Sequence, residues 1–128
     1  MDKILRTGIL QSVSNYLNKK GFSNFRSGLT NMDNPKKIVE KQSGEIYQPD
    51  MTANYKESLY VFEIETGESI ESDKENFIRK CDVLQQHAVA KKGKLYLIVP
   101  VQNSDQVLSE LNKNNLENIG ILKIKADA

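Results

Sequence analysis

The sequence predicts an α/β domain in which helices cover both faces of a mixed sheet. Three observations carry this. Leu5, Ile9, Val13 and Leu17 recur at four-residue spacing near the start. Three extended runs joined by short polar connections lie between residues 36 and 66. The run "KLYLIVPV", residues 94–101, is almost continuously apolar and follows a second helical segment. A run of that kind marks a strand buried on both faces, and a strand reached through a helix lies parallel to an earlier one. A chain of 128 residues suits one core, so residues 1–128 read as a single domain.

The elements follow in order. The first stripe, widened by Leu10 and Tyr16, is one face of a helix. Lys19 and Lys20 suit its carboxyl end, and Gly21 suits the left-handed residue that stops it. Residues 23–35, "SNFRSGLTNMDNP", have loop composition, with a short extended piece around Phe25. "KKIVEKQ" ends at Ser43-Gly44, a hairpin turn, and "EIYQPDMTA" and "SLYVFEIET" complete an expected three-strand meander. Pro49 implies a break or bulge near Asp50. Residues 69–93 form the next helix. Its expected cap is the Ser72–Glu75 capping box, its apolar face is Phe77, Cys81, Leu84 and Ala88, flanked by Ile78 and Val89, and Lys91, Lys92 and Gly93 end it. A helix from Ser104 with Val107, Leu108 and Leu111 inward, then the strand "NIGILKIK", close the chain.

Composition removes several function classes. Hydrophobic residues make up 38% and charged residues 27%, values of a globular protein. The net charge of +1 gives no bulk attraction to nucleic acid or an anionic membrane. One cysteine, Cys81, allows neither an intrachain disulfide nor a cysteine-based zinc site. No apolar run nears a membrane span, and "MDKILRTGIL" lacks a signal peptide's apolar stretch. A cytoplasmic chain without a membrane partner is the expectation. The glycines form neither a G-x-G-x-x-G nor a P-loop pattern.

The informative departure is acidic. Side chains alternate across a strand, so Tyr60, Phe62 and Ile64 share one apolar face. Leu59, Val61, Glu63 and Glu65 share the other, which turns acidic over its last third. Two like charges two residues apart repel, and a cation between them would remove that repulsion. A solvated edge strand also carries outward glutamates, so the pattern leaves both readings open. Pairing symmetric about Asn54–Glu57 would put Asp50 opposite Tyr60 to Val61, within plausible reach of Glu63.

"Q-P-D" in one strand and "F-E-I-E-T" in the next resemble the PD-(D/E)XK nucleases, the restriction-endonuclease-like superfamily. Their αβββαβ core, with acids on the second and third strands, matches the element order read above through "KLYLIVPV". The resemblance implies that Asp50 and Glu63 share a Mg2+ or Mn2+ ion, with the carbonyl of Ile64 as a backbone ligand. Metal-assisted hydrolysis of DNA phosphodiesters would be the chemistry. The family's lysine is replaced by Glu65, which could hold a second ion or act as general base. Lys41, Arg79 and Lys80 are candidate replacement cations. The family's first-helix glutamate is absent, leaving Gln11 or Asn15 as weaker substitutes. A chain this small would need to form a homodimer to cut both strands.

The remaining candidates weigh less. His87 lies at the edge of an apolar face with no second ligand nearby in sequence, and Cys81 reads as a small core residue. "KKGK", residues 91–94, reads as a solvated helix end or a phosphate contact, and Lys36 and Lys37 have a better claim to DNA. Two functions remain: a metal-dependent nuclease, and a non-catalytic module of the same fold that binds a protein or nucleic acid.

Overall fold

A computed structural model describes residues 2–125. Helix α1 (Lys3–Lys19) is followed by strand β1 (Ser23–Ser27), a small hairpin of β2 (Ile38–Val39) and β3 (Ile46–Tyr47), and the strands β4 (Met51–Tyr55) and β5 (Ser58–Ile64). Helices α2 (Glu68–Ser72) and α3 (Lys74–Ala90), strand β6 (Leu95–Pro100), helix α4 (Ser104–Lys113) and strand β7 (Gly120–Ile124) complete the order. The main sheet runs β1-β4-β5-β6-β7. Its first three strands are antiparallel neighbours, whereas β5–β6 and β6–β7 are parallel.

The mixed sheet, the central "KLYLIVPV" strand and its parallel pairing with "SLYVFEIET" agree with the expectation. Alternation divides the core. Phe62 and Ile98 meet Ile9, Leu10, Val13 and Leu17 of α1 on one face. Val61, Leu95, Leu97 and Val99 meet Phe77, Cys81 and Leu84 of α3 and Val107 and Leu111 of α4 on the other. Leu5, Tyr16, Val89 and Leu108 lie at the margins of their helical stripes and are exposed. Helix α1 ends as its sequence predicts. Gly21 has φ 99°, its N–H donates to Asn18 and that of Phe22 donates to Leu17, which is the Schellman arrangement.

Three expectations fail in informative ways. The outer strand of the meander is β1, not "KKIVEKQ". The polar run Ser23–Ser27 carries little hydrophobic signal because it is an edge strand, held by its backbone pairing to β4. "KKIVEKQ" instead supplies β2, which pairs only with β3, and Gly44 at φ 75° lies in the loop of that small hairpin. "EIYQPDMTA" is split at Gln48–Asp50 into β3 and β4, as Pro49 foretold. The cap of α3 is Asp73, whose carboxylate accepts from Asn76 N–H at 3.1 Å. Ser72 closes the short α2 instead.

The third failure matters most for function. The turn between β4 and β5 is two residues long, with Tyr55 opposite Ser58 and Lys56 at φ 55°. This moves the register by two residues from the expected one, so Met51 pairs with Phe62. Asp50, the next residue outward, stands beside Glu63.

Candidate functional site

The site forms where β4 begins and β5 ends. The Asp50 carboxylate is held from several sides. Oδ2 accepts the backbone N–H of Ile64 at 2.7 Å, and Oδ1 accepts from the guanidinium of Arg6, which reaches over from the first turns of α1. Burial pushes the Asp50 pKa up, but hydrogen bonds from Glu63, the Ile64 N–H and Arg6 outweigh it and hold it below the usual carboxylate range. Glu63 is only 6% exposed. Burial first, and then the adjacent Asp50, raise its carboxyl well above the usual range, against the opposing charge of Lys80. Asp50 and Glu63 therefore form a coupled acid pair whose surroundings push their pKa values apart, Asp50 down and Glu63 up.

Glu65 lies on the same face of the chain as Glu63 and is 2% exposed. Its carboxylate turns into the following bend. Ser69 Oγ donates to both of its oxygens at 2.6 Å, and Gly67 N–H donates to Oε1 at 3.0 Å. Gly67 adopts φ 94°, a left-handed conformation that a side chain would strain, and so lets the chain bend back over Glu65.

Arg6, Asp50, Glu63, Glu65, Ser69 and Lys80 line a cleft of about 290 Å3. Of the three candidate replacement cations, the structure brings in Lys80 from α3. Arg79 turns to Glu45 at 3.0 Å, and Lys41 is exposed in the loop between β2 and β3. Gln11 donates to Asn15 at 3.2 Å on an exposed part of α1, away from the cleft. Sequence reasoning missed Arg6 and Ser69. It looked for an acid on α1, whereas that helix delivers a cation one turn before the buried Ile9 and Leu10.

Among the described residues, no three His, Cys, Asp or Glu side chains gather as a metal cluster. A magnesium ion does not require one, because it is commonly held by one or two carboxylates together with water and substrate phosphate. The facing carboxylates of Asp50 and Glu63 fit that demand in donor type. Arg6 occupies one Asp50 oxygen and would have to yield it. Two other candidates, Cys81 and His87, do not line the cleft. Burial pushes the Cys81 thiol up to about 12, which makes it a poor nucleophile. Burial, with a smaller contribution from Lys91, lowers the His87 pKa.

No family model matches the sequence, and no curated protein matches it. Among solved structures, the chain is similar to an XisH family protein from Nostoc punctiforme PCC 73102, with a TM-score of 0.59. The match covers 95% of this chain and 91% of that one, at 14% identity. The fold is of the restriction-endonuclease-like type. At that identity the likeness is one of architecture, and the acid site must be argued from its own residues. No helix among the described residues is long and apolar enough to cross a membrane.

Proposed function

We propose that the chain is a metal-dependent nuclease of the PD-(D/E)XK kind, or a diverged relative, acting on DNA. The observation that carries this reading is the register that sets Asp50 beside Glu63 at the open end of the sheet, with Lys80 on the same cleft. Asp50, Glu63 and the Ile64 carbonyl would hold a magnesium or manganese ion. Such an ion, when bound, lowers the pKa of a water and neutralises charge on the phosphate. Lys80 takes the part of the missing motif lysine: it orients the attacking water and stabilises charge that grows on the phosphate oxygens. Glu65 fixes the bend through Ser69 and Gly67 and so keeps the end of β5 in place. The test is cleavage of linear duplex, single-stranded and branched DNA by the purified protein with magnesium or manganese. Cleavage that stops on chelation supports the reading, and no cleavage of any substrate rejects it.

The rival is a non-catalytic module of the same fold. It is favoured by Arg6, which already supplies Asp50 with a counter-charge, and by the absence of lysine at Glu65. Arg6→Gln tests which part Arg6 plays at Asp50. The Arg6 side chain is 38% exposed, so its ion pair is worth about 0–1 kcal/mol. If Arg6 and a divalent ion compete for Asp50, calorimetry should show manganese binding up to about fivefold tighter in Arg6→Gln. The Glu63 carboxyl, its pKa raised by burial and by Asp50, binds the ion in its ionised form, so affinity should also climb with pH. Weaker binding in the variant would make Arg6 a support of the site instead of a competitor.

A further inference from the structure

A second cavity lies at the other end of β4, about 520 Å3 in volume. Four residues separate Asp50 from Asn54, or about 14 Å along an extended strand. The cavity draws together segments that are far apart in sequence. Arg26 comes from edge strand β1, Lys36 from the loop after it, and Lys91 from the end of α3. Asn24 and Asn54 add amide groups, and Asp33 is the single carboxylate. Lys36 and Lys91 belong to the two basic stretches that the acid site leaves unused.

Two features separate this cluster from an ordinary solvated surface. The first is the backbone. The β1–β4 register slips between Ser23 and Arg26, and Asn24 in that slip has φ 53°. A bulge of this kind re-aims side chains at a sheet edge, and asparagine is among the residues that take the left-handed conformation it uses most readily. The second is charge. Three cations, Arg26, Lys36 and Lys91, line one cavity against a single carboxylate, Asp33, and among the described residues none of the three lies within ion-pair distance of a carboxylate. The cavity thus concentrates a net two positive charges in a chain whose total is +1. One end of β4 is acidic and the other basic, a division that the overall charge hides.

We propose that this cavity binds the phosphate backbone of a nucleic-acid strand. Arg26 supplies a planar fork of donors, Lys36 and Lys91 supply point charges, and the two asparagines supply neutral donors. The ligand class rests on the nuclease reading, but the site does not. Duplex DNA presents a phosphate every 3.4 Å or so along each strand, so the 14 Å offset corresponds to about four steps. The cavity holds the strand while the acid pair addresses a bond further along it.

The test is binding, measured in EDTA so that neither metal nor cleavage enters. Fluorescence anisotropy with labelled 20-nucleotide single strands and duplexes is followed from low to moderate salt. The triple variant Arg26→Gln, Lys36→Gln, Lys91→Gln should bind at least about tenfold more weakly. Its salt slope should fall by about two for single strands and nearly three for duplex, the loss expected for three phosphate contacts. A control triple, Lys3→Gln, Lys19→Gln, Lys123→Gln, makes the same change in net charge and should bind within about threefold of wild type. Thermal melts confirm that both triples fold, and if the cavity triple melts early, Lys36→Gln alone should still weaken binding and lower the slope. No binding by wild type, equal weakening in the two triples, or an unchanged slope in the cavity variants would overturn the proposal. A protein that binds in this way but cleaves nothing would sink the nuclease reading and leave the cavity intact.

Discussion

Lys80→Met should reduce DNA cleavage by at least about a hundredfold while leaving manganese affinity within a few-fold of wild type. The reasoning is positional. Lys80 shares the cleft with Asp50 and Glu63, and its charge acts on Glu63, but it is a cation and cannot bind the ion. Removing a donor aimed at developing charge typically costs 10²–10³ in rate. Methionine keeps much of the stem's bulk, so the packing of α3 over Val61 should survive. Asp50→Ala is the contrasting variant. It should lose both metal binding and cleavage, because the carboxylate that would hold the ion is gone. The pair of variants is diagnostic: loss of rate with retained binding assigns Lys80 to the chemistry. Equal cleavage in wild type and Lys80→Met would return the search for the missing cation to Arg6.

Gly93→Ala should lower the thermal midpoint by about 10 °C, a loss of about 3 kcal/mol. The cause is contact and not conformation. A Cβ on Gly93 would stand 1.5 Å from the carbonyl oxygen of Leu59, so backbone would have to part from backbone. The N–H of Leu59 donates to Lys91 across the same junction at 3.3 Å, so the shift would spread into the start of β5. Its neighbour Lys92 is the residue with φ 66° and should tolerate glycine at little cost or a small gain. A midpoint unchanged in Gly93→Ala would mean that the turn after α3 gives more freely than its packing implies.

The sequence disclosed the sheet's centre better than its edge. "KLYLIVPV" and "SLYVFEIET" could be placed because buried strands must be apolar and alternate visibly. Strand β1 showed only as a short extended piece around Phe25, and its place at the sheet edge did not show, because "SNFRS" contributes backbone, a buried Ser27 and a half-buried Phe25. The acid site was half legible. Asp50 and Glu63 stood out as charges in strands, yet their meeting depended on a turn of Lys56 and Glu57 that carries neither glycine nor asparagine to mark it. Glu65 looked the same as Glu63 from the pattern. Only the bend at Gly67, which carries Ser69 back onto its carboxylate, tells the two apart. Arg6 was invisible for a different reason, since nothing local announces that a helix end will reach a strand 44 residues away.

That separation sets the order in which the site can assemble. Asp50 and the Ile64 N–H are 14 residues apart and are joined by one tight hairpin, a loop that closes early and locally. Loop closure costs least for this contact, so the order expected is the acids face to face first and the groups that balance them later. Arg6 comes only when α1 docks, and Lys80 only when α3 has crossed over to deliver β6. Until then the hairpin carries its acid pair without either cation, so the docking of two remote helices relieves an electrostatic debt incurred at the first turn.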